Sequence, residues 1–393
     1  MIPDAAHPVV PMLAKAVAEV PEPDSVPGGL SYEPKWDGFR GIVYARYPDA
    51  DQPGGATDPD GSADPDGATD PDGAAESGTP HGGTGRRPLE IEIGSRGSKT
   101  LTRYFPELVA SLAELLPGPC VLDGEIVVRT GEPGRERLDW EALGARIHPA
   151  ESRVATLSVE TPALFVAFDL LALGDRELVD APFGERRALL VETVGGGDGT
   201  GPLHVSRTTD DVDLARRWLA EFEGAGLDGV VAKPLDAPYS PGKRTMLKIK
   251  HHRTADVVVL GYRVHKSGAG VGSLLLGLYD ADGELRNVGG ASAFSDARRL
   301  ELVTELEPLV ARGADGGVSH AETERSRFSS GKDVSYVPLR PERVVEVRYD
   351  QMEGSRFRHT VQFARWRPDR DARSCGFDQL EVPAAYDLGD VLG

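Results

Sequence analysis

The sequence predicts an α+β fold in two parts, with strands and helices mixed up to residue 250 and a small β-barrel from residue 251 onward. At 393 residues, the chain is long enough for two or three domains, each with its own core. Strand-like runs and helical periodicity alternate in the first part, as at 210–223, where the apolar spacing is helical. From Val257 onward, several strand-like runs surround one helical segment near Arg298 to Val310, which is typical of a closed barrel of the oligonucleotide-binding kind.

Net charge is negative but unevenly distributed. The formal charge of −19 argues by itself against nucleic acid as a partner. Residues 48–88, however, hold nine acidic and two basic residues, whereas residues 243–266 hold seven Lys or Arg against Asp256 alone. Local patches of this kind decide partners more than the total does, so nucleic acid stays in consideration.

Residues 48–88 are a low-complexity insertion. The six residues Ala56 to Gly61 recur, with small changes, at 62–67 and 68–73. The repeats contain no large apolar residue, so they cannot bury a core, and the segment is predicted to be a disordered acidic loop. Its paired aspartates suggest calcium, but the full spacing and the closing glutamate of a calcium loop are missing, which favours a solvated loop.

The number of cysteines and the hydropathy of the sequence indicate where in the cell the protein is expected. Cys120 and Cys375 are too few for a disulfide framework or a four-cysteine zinc site. No apolar run approaches the length of a membrane span, and the N-terminus lacks the pattern of a signal peptide. We therefore expect a cytoplasmic protein.

The first candidate site is the stretch from Tyr32 to Arg40, in which Lys35 lies between two acids, each two residues away. Alternation on both sides of Asp37-Gly38 predicts two short strands joined by a tight turn. A lysine held at such a turn acts as a nucleophile when nearby positive charge and desolvation favour its neutral amine. A solvated lysine on an ordinary hairpin is the alternative.

Polar residues at strand ends give further candidates. Cys120 to Val128 is predicted as a strand, a polar kink at Asp123-Gly124-Glu125 and a second strand; the acids point to a metal or a hydroxyl, or are solvated turn residues. Leu227 to Lys233 predicts a strand with the acid Asp228 at its mouth. Met246 to Lys250 alternates so that its two lysines share one face.

Three other segments have plainer interpretations. Residues 1–30 are expected to be extended, with one helical turn at Met12 to Lys15. Leu164 to Leu171 has few polar atoms and predicts a buried strand. Ser267 to Gly272 looks like a phosphate loop but links two strands, which predicts a hairpin.

Several of these stretches match, in order, motifs of one superfamily. Lys35 to Arg40 resembles the first motif of the covalent nucleotidyltransferases, which include DNA ligases, RNA ligases and mRNA-capping enzymes. Six later stretches resemble the successive motifs of that superfamily: Ser95-Arg96-Gly97, Asp123-Gly124-Glu125, Phe168-Asp169, Asp228 to Lys233, Lys248-Ile249-Lys250 and Arg365 to Arg370. Seven matches in the right order across residues 32–370 are far more specific than any one of them.

The sequence is most similar to bacterial ATP-dependent DNA ligases of the stand-alone ligase C type and to the ligase module of end-joining ligases. This resemblance implies an adenylyltransferase domain of antiparallel sheets with flanking helices at 1–250, followed by an OB-fold β-barrel at 251–393. Two departures stand out. Asp228 stands where many relatives carry Glu, and the insertion at 48–88 is not part of the family pattern.

The resemblance implies roles for individual residues. Lys35 is the catalytic nucleophile that attacks the α-phosphate of ATP. The cofactor-binding residues are implied to be Glu33 for the adenine amino group, Arg96 and Glu125 for the ribose, Phe168 for stacking, and, for the phosphates, Arg40, Lys248, Lys250, Arg367 and Arg370. Glu125 and Asp228 are implied as the ligands of a divalent metal, Mg²⁺ or Mn²⁺.

The implied function is the sealing of nicks in double-stranded DNA during DNA repair, by a monomer that works with other repair proteins. An RNA ligase remains an alternative, because it shares the first five motifs. A capping enzyme is disfavoured because the Glu33 carboxylate would repel the guanine carbonyl, and an NAD-dependent ligase because the chain is short and lacks zinc cysteines. A non-catalytic nucleic-acid-binding protein on a ligase scaffold is the remaining alternative.

Overall fold

The computed structural model describes residues 3–48, 87–97, 99–195, 201–313, 317–319, 321–322 and 335–392. The acidic repeat predicted to be disordered lies outside the described residues. The strands and helices form two layers of sheet with flanking helices, followed by a barrel.

Among the described residues, the larger sheet has seven strands in the order β4-β3-β5-β7-β8, with β6 paired to β5 and β9 to β7. Its neighbours are antiparallel, except that β9 runs parallel to β7. The strands are β3 (Phe39–Arg46), β4 (Glu90–Ser95), β5 (Cys120–Thr130), β6 (Arg137–Leu138), β7 (Ala163–Leu173), β8 (Arg176–Glu177) and β9 (Leu203–Val205).

A second, four-stranded sheet has the order β1-β11-β10-β2. Its strands are β1 (Leu13–Val17), β2 (Leu30–Pro34), β10 (Val230–Pro234) and β11 (Arg244–Ile249). The outer strand β1 runs parallel to β11, while β10 is antiparallel to both of its neighbours. The expected helical turn at 12–15 is therefore wrong. These residues pair with β11, and long-range pairing of this kind overrides a weak local preference.

The α-helices that flank the sheets in the described part of the chain are α1 (Pro106–Leu115), α2 (Trp140–Ala145), α3 (Glu151–Glu160), α4 (Phe183–Val194) and α5 (Val212–Glu221). Helix α1 buries Leu108 and Leu112 in a core shared with the larger sheet. Helix α5 begins where predicted, because the Asp211 side chain accepts hydrogen bonds from the backbone N–H groups of Asp213 and Leu214.

The predicted hairpin around Asp37-Gly38 is also wrong. Strands β2 and β3 belong to different sheets, and the chain crosses from one sheet to the other at residues 35–38. The backbone of Lys35 pairs instead with the segment before β10, donating to the Gly229 carbonyl at 2.8 Å and accepting from the Asp228 N–H at 2.9 Å. A Cβ on Gly38 would lie 2.1 Å from the carbonyl oxygen of Ile126, so only glycine fits this crossing. Lys35 is thus held between the two sheets.

The stretch predicted as strand, kink and strand is one continuous strand, β5. The polar kink appears only as a shift in register between Asp123 and Gly124 opposite β7. The extra residue at this shift is Phe168 in β7, whereas β5 keeps an unbroken register against β3 through Asp123 and Glu125.

The barrel begins with β12 (Arg253–Val264), which pairs with β13 (Val271–Tyr279), β16 (Ser335–Pro338) and β17 (Val344–Tyr349). Its remaining elements are β14 (Leu285–Ala291), α6 (Asp296–Leu306), β15 (Ala321–Glu322), β18 (Met352–Glu353), β19 (Arg356–Phe357) and β20 (Gln362–Trp366). All pairs in the barrel sheet are antiparallel, and apolar side chains such as Val257, Leu276 and Leu302 fill one core. The hairpin predicted at Ser267 to Gly272 joins β12 to β13.

The last helix, α7 (Leu388–Leu392), does not pack with the barrel. Leu388, Val391 and Leu392 are buried in the catalytic core that contains Trp218 and Phe222. The chain therefore crosses between the two domains twice, before β12 and again after residue 380. The sequence pattern assigned all of 251–393 to the barrel domain, and the packing of α7 does not follow that assignment.

Candidate active site

A cavity of about 270 Å³ opens beside Lys35, at the crossing between the two sheets. Seven residues predicted for the site line it: Glu33, Lys35, Arg40, Arg96, Glu125, Phe168 and Lys248. The wall is completed by residues that the sequence analysis did not assign, among them Met12, Arg244 and Met246. The pairing of β1 with β11 brings Met12 there.

Lys35 and Lys250 share one carboxylate. The Lys35 Nζ atom lies 2.5 Å from Oδ2 of Asp228, and the Lys250 Nζ atom lies 2.8 Å from the same oxygen. Asp228 is buried, with 5% of its side chain exposed, because it lies at the end of the segment that pairs with Lys35. Asp228, which stands where many relatives carry Glu, thus contacts both lysines directly.

The pKa values of Lys248 and Glu125 both differ from those of the free side chains. Burial lowers the pKa of Lys248, and the positive charges of Lys250 and Lys35 lower it further. Burial raises the pKa of Glu125 to about 7, although Arg40 and Lys35 oppose that shift. Perturbed groups that converge on one cavity are typical of active sites.

Arg40 is held by Asp123, which the sequence analysis considered only as an acid for a metal or a hydroxyl, or as a solvated turn residue. Its Nε and Nη2 atoms both donate to the carboxylate of Asp123, which is fully buried and also accepts a hydrogen bond of 2.6 Å from the Tyr239 hydroxyl. Asp123 does not line the cavity. Glu125, two residues further along β5, does line it.

Phe168 and Glu33 line the cavity, and Lys233 lies beside both of them. Phe168 is 6% exposed, and the Arg40 guanidinium lies 4.6 Å from its ring centroid. Glu33 is 4% exposed, and its Oε1 atom lies 2.7 Å from the ammonium of Lys233. The cavity therefore combines an aromatic ring, a carboxylate and several cations, which suits a nucleotide.

Comparisons with known proteins decide the family. A family model described as an ATP dependent DNA ligase domain matches residues 86–250, and another, described as an ATP dependent DNA ligase C terminal region, matches residues 267–370. DNA ligase C of Mycobacterium tuberculosis is 51% identical over 398 residues, which cover 98% of this chain and 97% of that protein. The chain belongs to the ATP-dependent DNA ligase family.

Two further comparisons agree with this assignment. The multifunctional non-homologous end joining protein LigD of Mycolicibacterium smegmatis is 27% identical over 86% of this ligase and 36% of its own length. The solved structure Pmar-Lig_PreS3 is 14% identical and covers 92% of this chain and 69% of that chain, with a TM-score of 0.51, which supports the shared fold. The predicted family, α+β fold and enzyme class are thus confirmed: the protein is an ATP-dependent DNA ligase.

Two residues implied for the ATP phosphates, Arg367 and Arg370, do not line the cavity of the ligase. Arg367 is held on the barrel by Asp256, at 2.8 Å, and by Asp369, at 2.9 Å. Arg370 donates to the Ser374 carbonyl at 3.2 Å. Their predicted role is not tested by this arrangement, and it requires the barrel to move.

The barrel contacts the catalytic domain through residues that the sequence analysis did not assign. Asp350 lies 3.0 Å from the Lys250 ammonium, and burial of Asp350, which alone would raise its pKa, is outweighed by hydrogen bonds from His359 and Lys250 that lower it. Arg358 pairs with Asp37 and lies 4.3 Å from the Trp140 ring centroid. The Lys250 ammonium therefore contacts Asp350 of the barrel and Asp228 of the catalytic domain at the same time.

The donor set of the ligase fits a metal that is held partly by substrate. No group of three His, Cys, Asp or Glu side chains forms a metal site within the part of the chain that the structure describes. The carboxylates implied as ligands, Glu125 and Asp228, lie in and beside the cavity. Mg²⁺ commonly takes one or two carboxylates together with waters and substrate phosphates, so two acids suffice.

The described helices also bear on the membrane question. None of them is long and apolar enough to cross a bilayer.

Proposed function

We propose that this ligase seals nicks in double-stranded DNA through a covalent intermediate on Lys35. The Nζ atom of Lys35 attacks the α-phosphorus of ATP, and the bond from that phosphorus to the bridging oxygen breaks, so that pyrophosphate leaves with the electron pair. The 5′-phosphate of the nick then attacks the same phosphorus and releases the lysine. The 3′-hydroxyl finally attacks the activated 5′-phosphate and displaces AMP.

The observation that carries this proposal is the position of Lys35 among other cations. A lysine must lose its proton before it can attack, and its ordinary pKa is far above neutrality. The Asp228 carboxylate, 2.5 Å from the Lys35 Nζ atom, is placed to accept the proton, and the ammoniums of Lys248 and Lys250 lie in the same site. The same cations neutralise charge that develops on the phosphate.

Other residues that line the cavity fit the roles implied for binding the nucleoside. Phe168 offers its ring to the base, and Glu33 presents an acceptor to the adenine amino group. Arg96 and Glu125 line the intervening wall, where the ribose would lie. Glu125 and Asp228 would hold the divalent ion, Mg²⁺ or Mn²⁺, which supplies positive charge to the phosphates when bound.

Nicked duplex DNA as the substrate is supported by cations of the barrel: Arg365 is exposed there, and Arg358 lies at the contact with the catalytic domain, where it pairs with Asp37. Arginines of this kind can bind the phosphates of a DNA backbone. A role in repair, a monomeric state and contacts with other repair proteins belong to this proposal. Cys120 and Cys375 are buried free thiols, as expected in the reducing cytoplasm.

Labelling with α-³²P nucleotides tests the proposal. The wild-type protein incubated with ATP should retain label on a denaturing gel, whereas Lys35→Ala should retain none, and GTP and NAD should label neither. Lys266→Ala, which removes an exposed lysine in the barrel, is the matched control and should label normally.

Addition of nicked DNA should then discharge the label and yield a sealed strand. Label on the Lys35→Ala protein would overturn the assignment of the nucleophile. Discharge by a nicked RNA duplex but not by DNA would identify an RNA ligase instead.

A further inference from the structure

A buried lysine that the sequence analysis gave no role lies behind the base end of the cavity. Lys233, in β10, is 2% exposed. Its ammonium lies 2.7 Å from Oε1 of Glu33, donates to the Phe168 carbonyl at 3.2 Å, and lies 4.6 Å from the Phe168 ring centroid. It does not line the cavity, so it is placed to act on a nucleotide through Glu33 and Phe168.

Glu33 has two oxygens in different situations. Oε1 is engaged by Lys233, whereas Oε2 is buried and has no hydrogen-bond partner among the described residues. A buried carboxylate oxygen without a partner is costly, so it calls for a donor from outside the protein. Since Glu33 lines the cavity, that donor would come from the ligand.

The protonation state of Glu33 decides which purine it accepts. An ionised carboxylate only accepts hydrogen bonds, so it pairs with the 6-amino group of adenine and repels the 6-carbonyl of guanine. A neutral carboxylic acid carries an O–H donor and can bind that carbonyl. Discrimination between the two purines therefore requires that Glu33 stay ionised.

We propose that Lys233 is a specificity-determining positioning residue, which holds Oε1 of Glu33 and leaves an ionised Oε2 to select adenine over guanine. This inference rests on the proposed function, because it assumes that the base of the nucleotide lies against Glu33. It adds that the selection depends on a lysine that never touches the substrate.

The charges around Glu33 agree with this role. Burial raises the pKa of Glu33, and Lys233 is the largest opposing influence, followed by Arg187 on α4. Asp169 on β7 raises the pKa slightly, but its carboxylate is already paired with Arg186 at 2.7 Å. Removal of the Lys233 charge thus leaves burial less opposed, so Glu33 would stay protonated up to a higher pH.

The test compares self-nucleotidylation with labelled ATP and labelled GTP over a range of pH. Lys233→Met keeps the length of the side chain but removes its charge, and Lys233→Arg keeps the charge. In Lys233→Met, we expect the ratio of kcat/KM for ATP to that for GTP to fall by about tenfold or more at low pH, equivalent to one charged hydrogen bond. The ratio should recover as the pH rises and Glu33 ionises, and Lys233→Arg should retain most of it at every pH.

A purely structural role predicts a different result. In that case Lys233→Met would lower the rates with ATP and GTP in equal proportion and without a dependence on pH, which would overturn the proposal. If Lys233→Met does not fold, Glu33→Gln decides: Lys233 would bind the amide oxygen and turn the NH₂ group toward the base, so preference should shift to GTP. An unchanged preference in Glu33→Gln would overturn the proposal, whereas failure of the wild-type protein to label with ATP would overturn the proposed function itself.

Discussion

At the scale of single residues, the two buried acids Asp123 and Asp228 form ion pairs with different cations of the active site. Asp228 contacts Lys35 and Lys250 at the mouth of the cavity, and Asp123 holds Arg40 from behind. Both acids lie in stretches that match family motifs, yet the family resemblance implied a role only for Asp228, as a metal ligand. Asp123 takes part by fixing the direction of a guanidinium, which is a role that spacing does not reveal.

The pairing of Asp123 with Arg40 predicts a large loss of stability when the acid is removed. Asp123→Ala would leave a guanidinium and the Tyr239 hydroxyl without their acceptor in the interior, and we expect a loss of about 3–5 kcal/mol in the free energy of unfolding. Urea denaturation measures this loss. Glu301→Ala, which removes a largely exposed partner of Arg298, is the control and should cost about 1 kcal/mol or less. Equal losses would show that the Asp123 pair contributes no more than a surface pair.

How far the site could be predicted depends on whether its residues sit within short motifs. Lys35, Glu33 and Lys248 reach the cavity as expected, because the motifs that contain them are local in the sequence. Lys233 also lies in a matched motif, but its role depends on the packing of β10 against β2, which brings it beside Glu33. Met12 and Arg244 were missed because they depend on the parallel pairing of β1 with β11.

At the scale of elements, the predicted strands and helices mostly exist, but their pairing does not follow their order in the chain. The stretch around Lys35 looks like a hairpin because strand-like alternation flanks a turn sequence. The two flanking strands instead pair with β10 and β5, which lie far along the chain. The local sequence pattern therefore predicted most strands and helices. It could not predict which strands pair, because the partners lie far apart in the chain.

Replacement of the acidic insertion is a test at this scale. Strands β3 and β4 pair through Arg46 and Glu90, and Arg87 donates to the Pro48 carbonyl, so the two ends of the insertion meet. A short Gly/Ser turn in place of residues 49–86 should therefore leave the melting temperature and the rate of nick sealing nearly unchanged. Thermal denaturation and a sealing assay measure the two quantities. A marked fall in either would show that the insertion has a structural or functional role.

At the scale of the whole molecule, helix α7 fastens the end of the chain to the catalytic domain. Val391 is fully buried there, whereas Val382, earlier in the same segment, is 88% exposed. Val391→Asp should lower the free energy of unfolding by about 3 kcal/mol or more, because it buries a charge without a partner. The fluorescence of Trp218 in the same core reports the transition. Val382→Asp is the matched control and should change stability by about 0.5 kcal/mol at most; equal effects would mean that α7 is not docked in solution.

The two crossings between the domains lie side by side. Arg253, at the first crossing, pairs with Glu223 of the catalytic domain at 2.5 Å and with Glu381 of the second crossing at 2.8 Å. A motion of the barrel can therefore pivot at this point while α7 stays docked. The contacts that such a motion must break lie farther out, between Asp350 and Lys250 and between Arg358 and Asp37.

The position of Arg370 on the barrel leads us to expect that its substitution affects self-adenylation, the first chemical step, differently from nick sealing, the last. Arg370 lies outside the cavity in this arrangement, and the family resemblance implies that it reaches the β- and γ-phosphates of ATP when the barrel closes. Positive charge there would orient pyrophosphate opposite the Lys35 amine, and such positioning commonly contributes several powers of ten to a rate. After AMP is attached, pyrophosphate has left and Arg370 has no such partner.

Arg370→Ala should therefore slow self-adenylation strongly while it spares the sealing of a nick that is supplied already adenylated. Both rates are measured on one preparation. Arg286→Ala, which removes an exposed arginine paired with Asp280 elsewhere on the barrel, is the control and should change neither rate. If Arg370→Ala lowers both rates equally, Arg370 serves DNA binding or stability, and a barrel that takes two positions in the reaction is not needed to explain its role.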